Sequence, residues 1–539
     1  MTSVRRDNLP LLTRLVFPSI KDVLFLAFLF VPLMTTETGV LHDGDTGWHI
    51  RNGEHILATW EFPRADYFSY TRQGAPWFAW EWLADVVMAI VYRLAGLNGI
   101  LVWANLLFAS TFSILFYWVL NRGGNLFLCL LFTTLGGFAS AVHWLARPHL
   151  FSMLFVLVWS ILLSRMQEES ASANSRSKLS WILPPMILVW ANLHGGFVVG
   201  LILLLIYSIA NFLTSVTNSD AQQCRQAKDS CSHFLKLTGF CLLVTLLNPY
   251  GIQLHLHIFD SYLFSQYLVD RITEFASPNF HTMVVRFFEL ILLSGIVIFG
   301  SSFRRLSFVE IGVLVFWTHM ALFSVRHVPL FTLLLVPMVV RHGSEYLEGV
   351  VREPRLAAWV GRSVSRFNAY SEQLRAFEIQ FKGIVYPLTA ALILIWVCLN
   401  QGNFFGANVM NAAFDSKQFP VKAAAFIEKS DLVGNLFTTD YWGGYMIYRF
   451  HPRHKVFFDG RSDMYGKEFL KEYEALTNLE HSWKTVLDNH QVAWILLPVN
   501  FGLATALKER ADWQVIYDDQ QAIIFRRRGI LPTQDLPKS

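Results

Sequence analysis

Charged residues are scarce in this chain of 539 residues: Asp, Glu, Lys and Arg make up 16%, whereas hydrophobic types make up 53%. A soluble domain usually carries about 25% charged residues. This deficit excludes an ordinary soluble protein and indicates a polytopic membrane protein. The net charge of +4 is small, and no basic run is interleaved with aromatic residues, so we expect no nucleic-acid partner.

Cysteine is rare as well. The five cysteines have no C-x-x-C spacing of the kind that binds metals, and none follows Cys398. The last part of the chain therefore contains no internal disulfide. The basic N-terminus leads into an apolar run without a small-x-small cleavage motif, which predicts an uncleaved first transmembrane helix.

Apolar segments long enough, or nearly long enough, to span a membrane recur along the first 400 residues. Basic residues concentrate in alternate loops, which predicts a cytoplasmic N-terminus and an outer C-terminus. The first outer loop, residues 41–96, is long and includes an amphipathic segment from Trp80 to Leu94. We predict about eleven spans, at residues 22–40, 97–119, 125–142, 149–164, 180–194, 197–214, 236–250, 287–302, 307–323, 329–341 and 384–400.

The composition changes near residue 401. Short apolar runs of strand length ("NLFTT", "KVFFD", "AWILLPV", "WQVIYDD", "QAIIFRR") alternate with helical patterns. This pattern predicts a C-terminal extracytoplasmic α/β domain, residues 401–539, with a largely parallel sheet, after a transmembrane domain of residues 1–400. The glycine pair in "DYWGGYMIYR" and the motif "DGRSD" are each interpreted as turns, although the second could also bind a ligand.

Ionisable residues cluster in the predicted outer turns, and each turn contributes at least one. The stretch "LHDGDTGWHIRNGEHIL" follows the first apolar run directly. Ionisable groups at membrane depth are energetically costly and so suggest function. The candidates are Asp43, Asp45, His49, Glu81, Arg147, His149, His194, Glu274, Arg326 and His327.

Acids, arginine and histidine at an outer membrane face suit glycosyl transfer from a lipid-phosphate sugar. The leaving group is already an anion, so the reaction needs a carboxylate to accept the acceptor's proton and cations to stabilise the phosphate. A second carboxylate could orient the first or bind a divalent ion such as Mg²⁺ or Mn²⁺. Alternatively, an Asp-x-Asp pair at the start of a helix could simply cap it.

The motifs "HDGDTGWHIRNGEHIL", "PRADYFSYTRQGAPWFAWEWLADV", "RPHLFS", "WANLHGGFVVG", "NPYG" and "RHVPLF" resemble those of a group of bacterial membrane proteins. That group is similar to the GT-C glycosyltransferases, which include the dolichyl-phosphate-mannose protein mannosyltransferases. The resemblance implies a multi-pass protein of the bacterial inner membrane that uses a polyprenyl-phosphate sugar and a glycan, lipid or protein acceptor.

The resemblance also implies a catalytic acid in the first outer loop, which here is Asp45 with support from Asp43. Arg147, His149, Arg326 and His327 are then candidates for the donor phosphate. His49, Glu81, His194 and Glu274 are candidates for substrate binding. GT-C members often carry a second acidic residue after the third span, where this chain has Arg147 and His149, and this departure puts metal dependence in question. The rival interpretations are a transporter or flippase for a lipid-linked or anionic solute, and a non-catalytic membrane assembly protein.

Overall fold

The computed structural model describes residues 10–35, 40–172, 177–260, 267, 270–302, 305–352 and 357–529. Helices dominate residues 10–399 of this described part. They are α1 (Leu11–Val16), α2 (Ile20–Thr35), α3 (Asp45–Thr59), α4 (Trp82–Asn121), α5 (Leu126–Ala139), α6 (His149–Ser172), α7 (Leu183–Leu193), α8 (Phe197–Thr217), α9 (Ala221–Val244), α10 (Ile252–Ile258), α11 (Met283–Ser302), α12 (Phe308–Phe323), α13 (Val328–Arg352), α14 (Ala358–Glu378) and α15 (Val385–Leu399).

Each of the eleven predicted spans overlaps one of these helices, which confirms a polytopic helical membrane protein. Within the described residues, seven helices are long and apolar enough to cross a membrane. The other predicted spans correspond to shorter or more polar helices, namely α7, α9, α12 and α15. The number of helices that meet both the length and the hydropathy requirement is therefore smaller than the number of predicted spans.

Helix α4 contains both the amphipathic segment and the second predicted span. Its 40 residues break at Gly96, whose φ of 58° and ψ of −153° are not helical. Glycine accepts this positive φ without the steric cost of a side chain. The break separates the juxtamembrane stretch after Trp82 from the apolar helix that follows.

Because the helices alternate in direction, the turns fall at two ends of the bundle. One end gathers the start of α3, the start of α4, the α5–α6 and α7–α8 connections, and the α12–α13 connection. The opposite end gathers the α4–α5 connection, the C-terminal half of α6 and the start of α12. The predicted site residues all lie at or near the first end.

The C-terminal region contains six strands and five helices in its described residues. They are β1 (Asn403–Phe404), β2 (Ala407–Asn408), α16 (Val421–Glu428), β3 (Asn435–Thr438), α17 (Asp440–Phe450), α18 (Ser462–Thr477), α19 (Trp483–Asn489), β4 (Val492–Pro498), α20 (Gly502–Lys508), β5 (Trp513–Asp518) and β6 (Ala522–Arg527). Four of the strands form one sheet in the order β3-β4-β6-β5.

The prediction of a largely parallel sheet is wrong. Only β3 and β4 pair in parallel, whereas β4–β6 and β5–β6 are antiparallel. The short turn between β5 and β6 forces that pair to run antiparallel, since a parallel pair needs a long crossover. The carboxylate of Asp519 stabilises the turn by accepting hydrogen bonds of 2.7 Å from the backbone N–H groups of Gln521 and Ala522.

Two further local predictions are corrected. The run "KVFFD" forms no strand of this sheet, and its Val456 instead makes an isolated parallel bridge with Ser69 of the first loop. The stretch "DYWGGYMIYR" is the helix α17 rather than a turn. Both segments pack against the N-terminal part of the chain, a contact that local sequence patterns do not encode.

The C-terminal region shares a hydrophobic core with the first loop. Trp48, Phe68 and Trp77 are buried in the same cluster as Trp442 and Tyr445 of α17. A second cluster, built from α18, α19 and the opposite face of the sheet, covers the other side. The four-stranded sheet is therefore buried on both faces, and one of those faces is attached to the membrane part.

Candidate functional site

A cavity of about 650 Å³ lies at the first end of the bundle, between the helical part and the C-terminal region. Hereafter it is called the first cavity. Polar and aromatic side chains from both parts of the chain line it. The ionisable members of its wall are His42, Asp43, Asp45, Glu81, Asp85, Arg147, Arg271, Glu274, Arg326, Asp440, Arg461, Asp463 and Glu474, together with Tyr441 and Tyr473.

Asp43 and Asp45 enter the cavity at the start of α3, where Arg147 meets both. Nη1 of Arg147 lies 3.0 Å from Oδ2 of Asp43, and Nη2 lies 3.0 Å from Oδ2 of Asp45. Two hydrogen bonds hold the segments together: Ala146 N–H to the Val40 carbonyl, at 3.2 Å, and Thr46 Oγ1 to the Ala146 carbonyl, at 3.0 Å. The sequence thus brings residues about a hundred positions apart into one ion cluster.

Asp43 also holds the start of α3, although the N-cap residue of that helix is Gly44. Its Oδ1 accepts a hydrogen bond of 2.8 Å from the backbone N–H of Asp45, which begins α3. Its other oxygen remains on Arg147. The two carboxylates therefore differ, because Asp43 is engaged by the helix start and by Arg147, whereas Asp45 faces the cavity with Arg147 as its ion-pair partner.

Glu274 and Arg326 complete the ion cluster. Oε1 of Glu274 accepts a hydrogen bond of 2.7 Å from Nη1 of Arg147, and its Oε2 lies 3.9 Å from Nη1 of Arg326. The Arg147 guanidinium thus contacts three carboxylates. The Arg326 guanidinium lies next to one of them, that of Glu274. A planar fork with five N–H donors is suited to such bridging, whereas an ammonium group is not.

The surroundings move the pKa values of two carboxyls on Arg147 in opposite directions. Burial raises the pKa of Asp45 to about 7, and Asp43 and Glu274 add to the rise while Arg147 opposes it. Burial also acts upward on Glu274, but Arg147 and Arg326 together lower its pKa to about 2. Asp45 can therefore gain or lose a proton near neutral pH, whereas Glu274 stays ionised.

His49, Glu81 and His194 form a buried chain beside the ion cluster. His49 Nδ1 lies 2.6 Å from Oδ1 of the fully buried Asp85, which fixes the ring, and its Nε2 faces Oε2 of Glu81 at 3.6 Å. The other oxygen of Glu81 lies 3.3 Å from Nε2 of His194. Burial lowers the pKa of His49 to about 4 and raises that of Glu81 to about 7.

The hydrogen bonds of His194 determine its tautomer. Its Nδ1 accepts from the backbone N–H of Gly196 at 2.9 Å and lies 2.8 Å from the Ser152 hydroxyl. That hydroxyl accepts from Trp190 Nε1 at 2.7 Å, so its own proton is directed to His194. The remaining proton of a neutral His194 is therefore on Nε2, directed at Glu81.

Two of the predicted phosphate ligands lie outside the cavity wall. His149 is buried, with Nε2 at 2.8 Å from the His143 carbonyl, and His327 lies 6.4 Å, ring to ring, from Trp317. The wall contains Arg147 and Arg326 but neither of these histidines. The assignment of phosphate binding to all four residues stays a prediction, and the geometry favours the arginines.

Comparison with known proteins identifies the fold. No protein-family model and no curated protein sequence matches the chain. Among solved structures, the oligosaccharyltransferase of Archaeoglobus fulgidus in its apo form matches with a TM-score of 0.54 and 10% identity, over 89% of this chain and 69% of that one. The same enzyme in complex with Zn and sulfate matches with a TM-score of 0.50 and 10% identity, over 94% and 72%. ArnT from Cupriavidus metallidurans, bound to undecaprenyl phosphate, matches with a TM-score of 0.44 and 12% identity, over 94% and 97%.

The chain has a GT-C-like fold.

The sequence left open a divalent metal at Asp43 and Asp45 in the first cavity. Among the described residues, no group of three or more His, Cys, Asp or Glu side chains is arranged to hold a metal ion. The carboxylates that the sequence suggested as ligands, Asp43 and Asp45, both contact Arg147 instead. The guanidinium pairs with both carboxylates, so in this arrangement they offer no free set of oxygen ligands to Mg²⁺ or Mn²⁺, and a bound divalent ion stays a prediction.

The sequence did not reveal how much of the wall comes from the C-terminal region. The backbone of Gly460 lies directly against Asp45, and α17 and α18 contribute Tyr441, Asp463 and Tyr473. The signal that could have identified the first of these is the "DGRSD" motif, a dense polar cluster after a buried apolar run. The motif does form a turn, which lies in the cavity wall, and its contact with a ligand stays a prediction.

Proposed function

We propose that this GT-C-like protein transfers a sugar from a polyprenyl-phosphate donor to a hydroxyl-bearing acceptor, with inversion at the anomeric carbon. The observation that carries the proposal is the Asp45 carboxylate, which faces the cavity and pairs with the partly buried Arg147 at the first end of the bundle. We further propose that this end is the outer face of a bacterial inner membrane, with the N-terminus inside.

In the proposed reaction, Asp45 is the general base. The acceptor oxygen forms a bond to the anomeric carbon while its proton passes to the Asp45 carboxylate. The bond between the anomeric carbon and the phosphate oxygen breaks, and polyprenyl phosphate leaves with the electron pair. A base with a pKa near 7 is well matched to this role at neutral pH.

Arg147 and Arg326 would stabilise the phosphate. During the reaction, negative charge disappears from Asp45 and appears on the leaving phosphate. If the phosphate binds beside Arg147, the same guanidinium stabilises the charge before and after the transfer, and it does so without reorganisation. The cluster of three carboxylates on Arg147 would then hold that guanidinium in place for the incoming anion.

The acceptor would enter from the C-terminal side of the cavity. That wall includes Tyr441, Tyr473, Asp440 and Asp463. Glu81, in contact with His49 and His194, would accept hydrogen bonds from hydroxyls of the transferred sugar. In this proposal the donor lipid would lie on the membrane side of the cavity and the acceptor on the aqueous side.

The proposal is tested by sugar transfer from a panel of labelled polyprenyl-phosphate sugars, using purified protein in lipid with cell-envelope glycan, lipid and peptide acceptors. We expect label on an acceptor and release of polyprenyl phosphate by the wild type, and a loss of about a hundredfold for Asp45→Asn. Label that crosses the bilayer without leaving its carrier would instead support a transporter, and would contradict the proposal.

A further inference from the structure

The C-terminal region touches the general base itself, and it does so through glycines. A Cβ atom added to Gly460 would lie 2.0 Å from Oδ1 and 2.8 Å from Cγ of Asp45. Both distances are far below van der Waals contact, so any side chain at position 460 would collide with the carboxylate. The lack of a side chain there lets the backbone lie directly against the Asp45 carboxylate.

The backbones of α17 and of the start of α3 also lie in close contact. A Cβ on Gly444 of α17 would lie 2.4 Å from the Gly44 carbonyl oxygen, and one on Gly47 would lie 2.6 Å from the Gly444 carbonyl oxygen. On its other side, α17 meets the segment before Gly460, because a Cβ on Gly443 would lie 2.2 Å from the Phe458 carbonyl oxygen. Glycines thus allow three backbone segments to stack at the base.

The turn that carries Gly460 is firmly held. The Asp459 carboxylate accepts from the backbone N–H and Nε of Arg461, at 3.0 and 2.8 Å, and from the Tyr465 hydroxyl at 2.7 Å. Arg461 is buried, pairs with Asp66 of the first loop at 2.8 Å, and lies 4.4 Å from the centre of the Trp77 ring. A collision at Gly460 would therefore displace Asp45 more readily than the turn.

We propose that Gly460 is a positioning residue for the general base: the Asp459–Arg461 turn holds the Asp45 carboxylate against Arg147 and screens it from water. The statement about catalysis rests on the proposed function, whereas the contact itself does not. The C-terminal region is then part of the catalytic centre as well as a wall for the acceptor.

The contact is tested by disulfide formation between Asp45→Cys and Gly460→Cys in a background without the five native cysteines. The Cβ position at residue 460 lies 2.8 Å from Cγ of Asp45, which is where the new sulfur would be, so we expect rapid cross-linking. The pair Asp45→Cys with Gly502→Cys serves as the control. A yield no greater than in the control would overturn the inference, whether or not the protein transfers sugar.

The effect on catalysis is tested with Gly460→Ala beside Gly502→Ala, a control in the same region where a Cβ would meet only Leu479 at 3.5 Å. We expect Gly460→Ala to lower kcat by about a hundredfold, because a displacement of about 1 Å can cost that much. In addition, the acidic limb of the pH profile should move to higher pH, since a carboxylate pushed away from Arg147, with Asp43 and Glu274 still facing it, is harder to ionise. Gly502→Ala should change neither.

Cross-linking combined with an unchanged rate and pH profile in Gly460→Ala would show a contact without a positioning role, and would overturn the inference. A Gly460→Ala protein that fails to fold leaves the decision to the cross-link. Cross-linking in a protein that transfers no sugar from any donor would refute the proposed function while leaving the contact established.

Discussion

The two ends of the helix bundle each contain a large cavity with charged walls, and they differ in how those charges are satisfied. The first cavity, of about 650 Å³, holds three carboxylates on one guanidinium. The second, of about 720 Å³, lies at the opposite end and contains Glu310, which accepts from Ser307 N–H and Oγ and contacts His342 and Arg341. In the second cavity Gln167 and Asn211 also donate to each other, at 3.0 and 2.9 Å.

This contrast shows that neither volume nor the number of charges identifies a site. At the second end Glu310, Gln167 and Asn211 have local partners, and Glu310 belongs to the capping box that begins α12. At the first end burial leaves Asp45 and Glu81 with pKa values of about 7. Groups held between two protonation states in a cavity are candidates for chemistry, whereas groups in closed networks are candidates for stability.

An arginine-to-lysine substitution at each end should distinguish the two cavities by the largest difference in rate. Arg147→Lys should lower sugar transfer by about a hundredfold, because an ammonium cannot bridge Asp43, Asp45 and Glu274 in the geometry of the fork. Arg122→Lys, in an exposed ion pair with Glu168, should change transfer by less than about twofold. Initial rates at saturating donor measure both, and equal losses would remove the distinction between the ends.

The pH dependence of kcat/KM should reflect the ionisation of groups in the first cavity and not of groups in the second. Transfer should rise with pH through a midpoint of about 7, because the base acts when ionised and burial raises the pKa of Asp45 to that value. Below the midpoint the protonated carboxyl cannot accept the acceptor's proton. A profile that stays flat from pH 5 to 8 would contradict the assignment of Asp45 as the base.

Glutamate-to-glutamine substitutions at the two ends should give a smaller difference, which appears in KM rather than in kcat. Glu81→Gln should raise the KM for the donor sugar about tenfold with little change in kcat, since hydrogen bonds to a charged acceptor contribute about 1.5–3 kcal/mol. Glu168→Gln should leave both parameters unchanged. A fall in kcat at constant KM for Glu81→Gln would instead place Glu81 in the chemical step, next to the His49 and His194 rings that contact it.

Removal of divalent ions should have the smallest effect. Because Arg147 already supplies positive charge to Asp43 and Asp45, we expect transfer to be unchanged in a strong chelator. The measurement is the initial rate with and without chelator, followed by added Mg²⁺ or Mn²⁺. A loss in chelator that either ion restores would show that the cluster rearranges to bind a metal.

The sequence predicted the features that depend on composition and local pattern. Apolar length located helices at the eleven spans, and alternation located four of the five predicted strands. The positions of the acids and arginines after successive spans predicted a common site, and the fold does bring Asp45, Arg147 and Glu274 together. Such arguments work because each turn at one end of an alternating bundle must approach the others.

The sequence could not predict contacts made by backbone rather than by side chains. Nothing local distinguishes Gly443 and Gly444, which lie inside a helix, from glycines of a tight turn, and only the packing of α17 on α3 explains them. Likewise, "KVFFD" has the composition of a strand, but its Val456 pairs with Ser69 of the first loop. The contact between Nε2 of His149 and the His143 carbonyl is likewise not visible in the sequence pattern.

The most direct test of the account compares one isosteric change at each end, Asp45→Asn and Glu310→Gln, in the same sugar-transfer assay with purified protein in lipid. The account predicts that Asp45→Asn is at least about a hundredfold slower than Glu310→Gln, which should retain the wild-type rate even if its network is weakened. Equal rates for the two variants, or a slower Glu310→Gln, would contradict the claim that the chemistry resides at the first end.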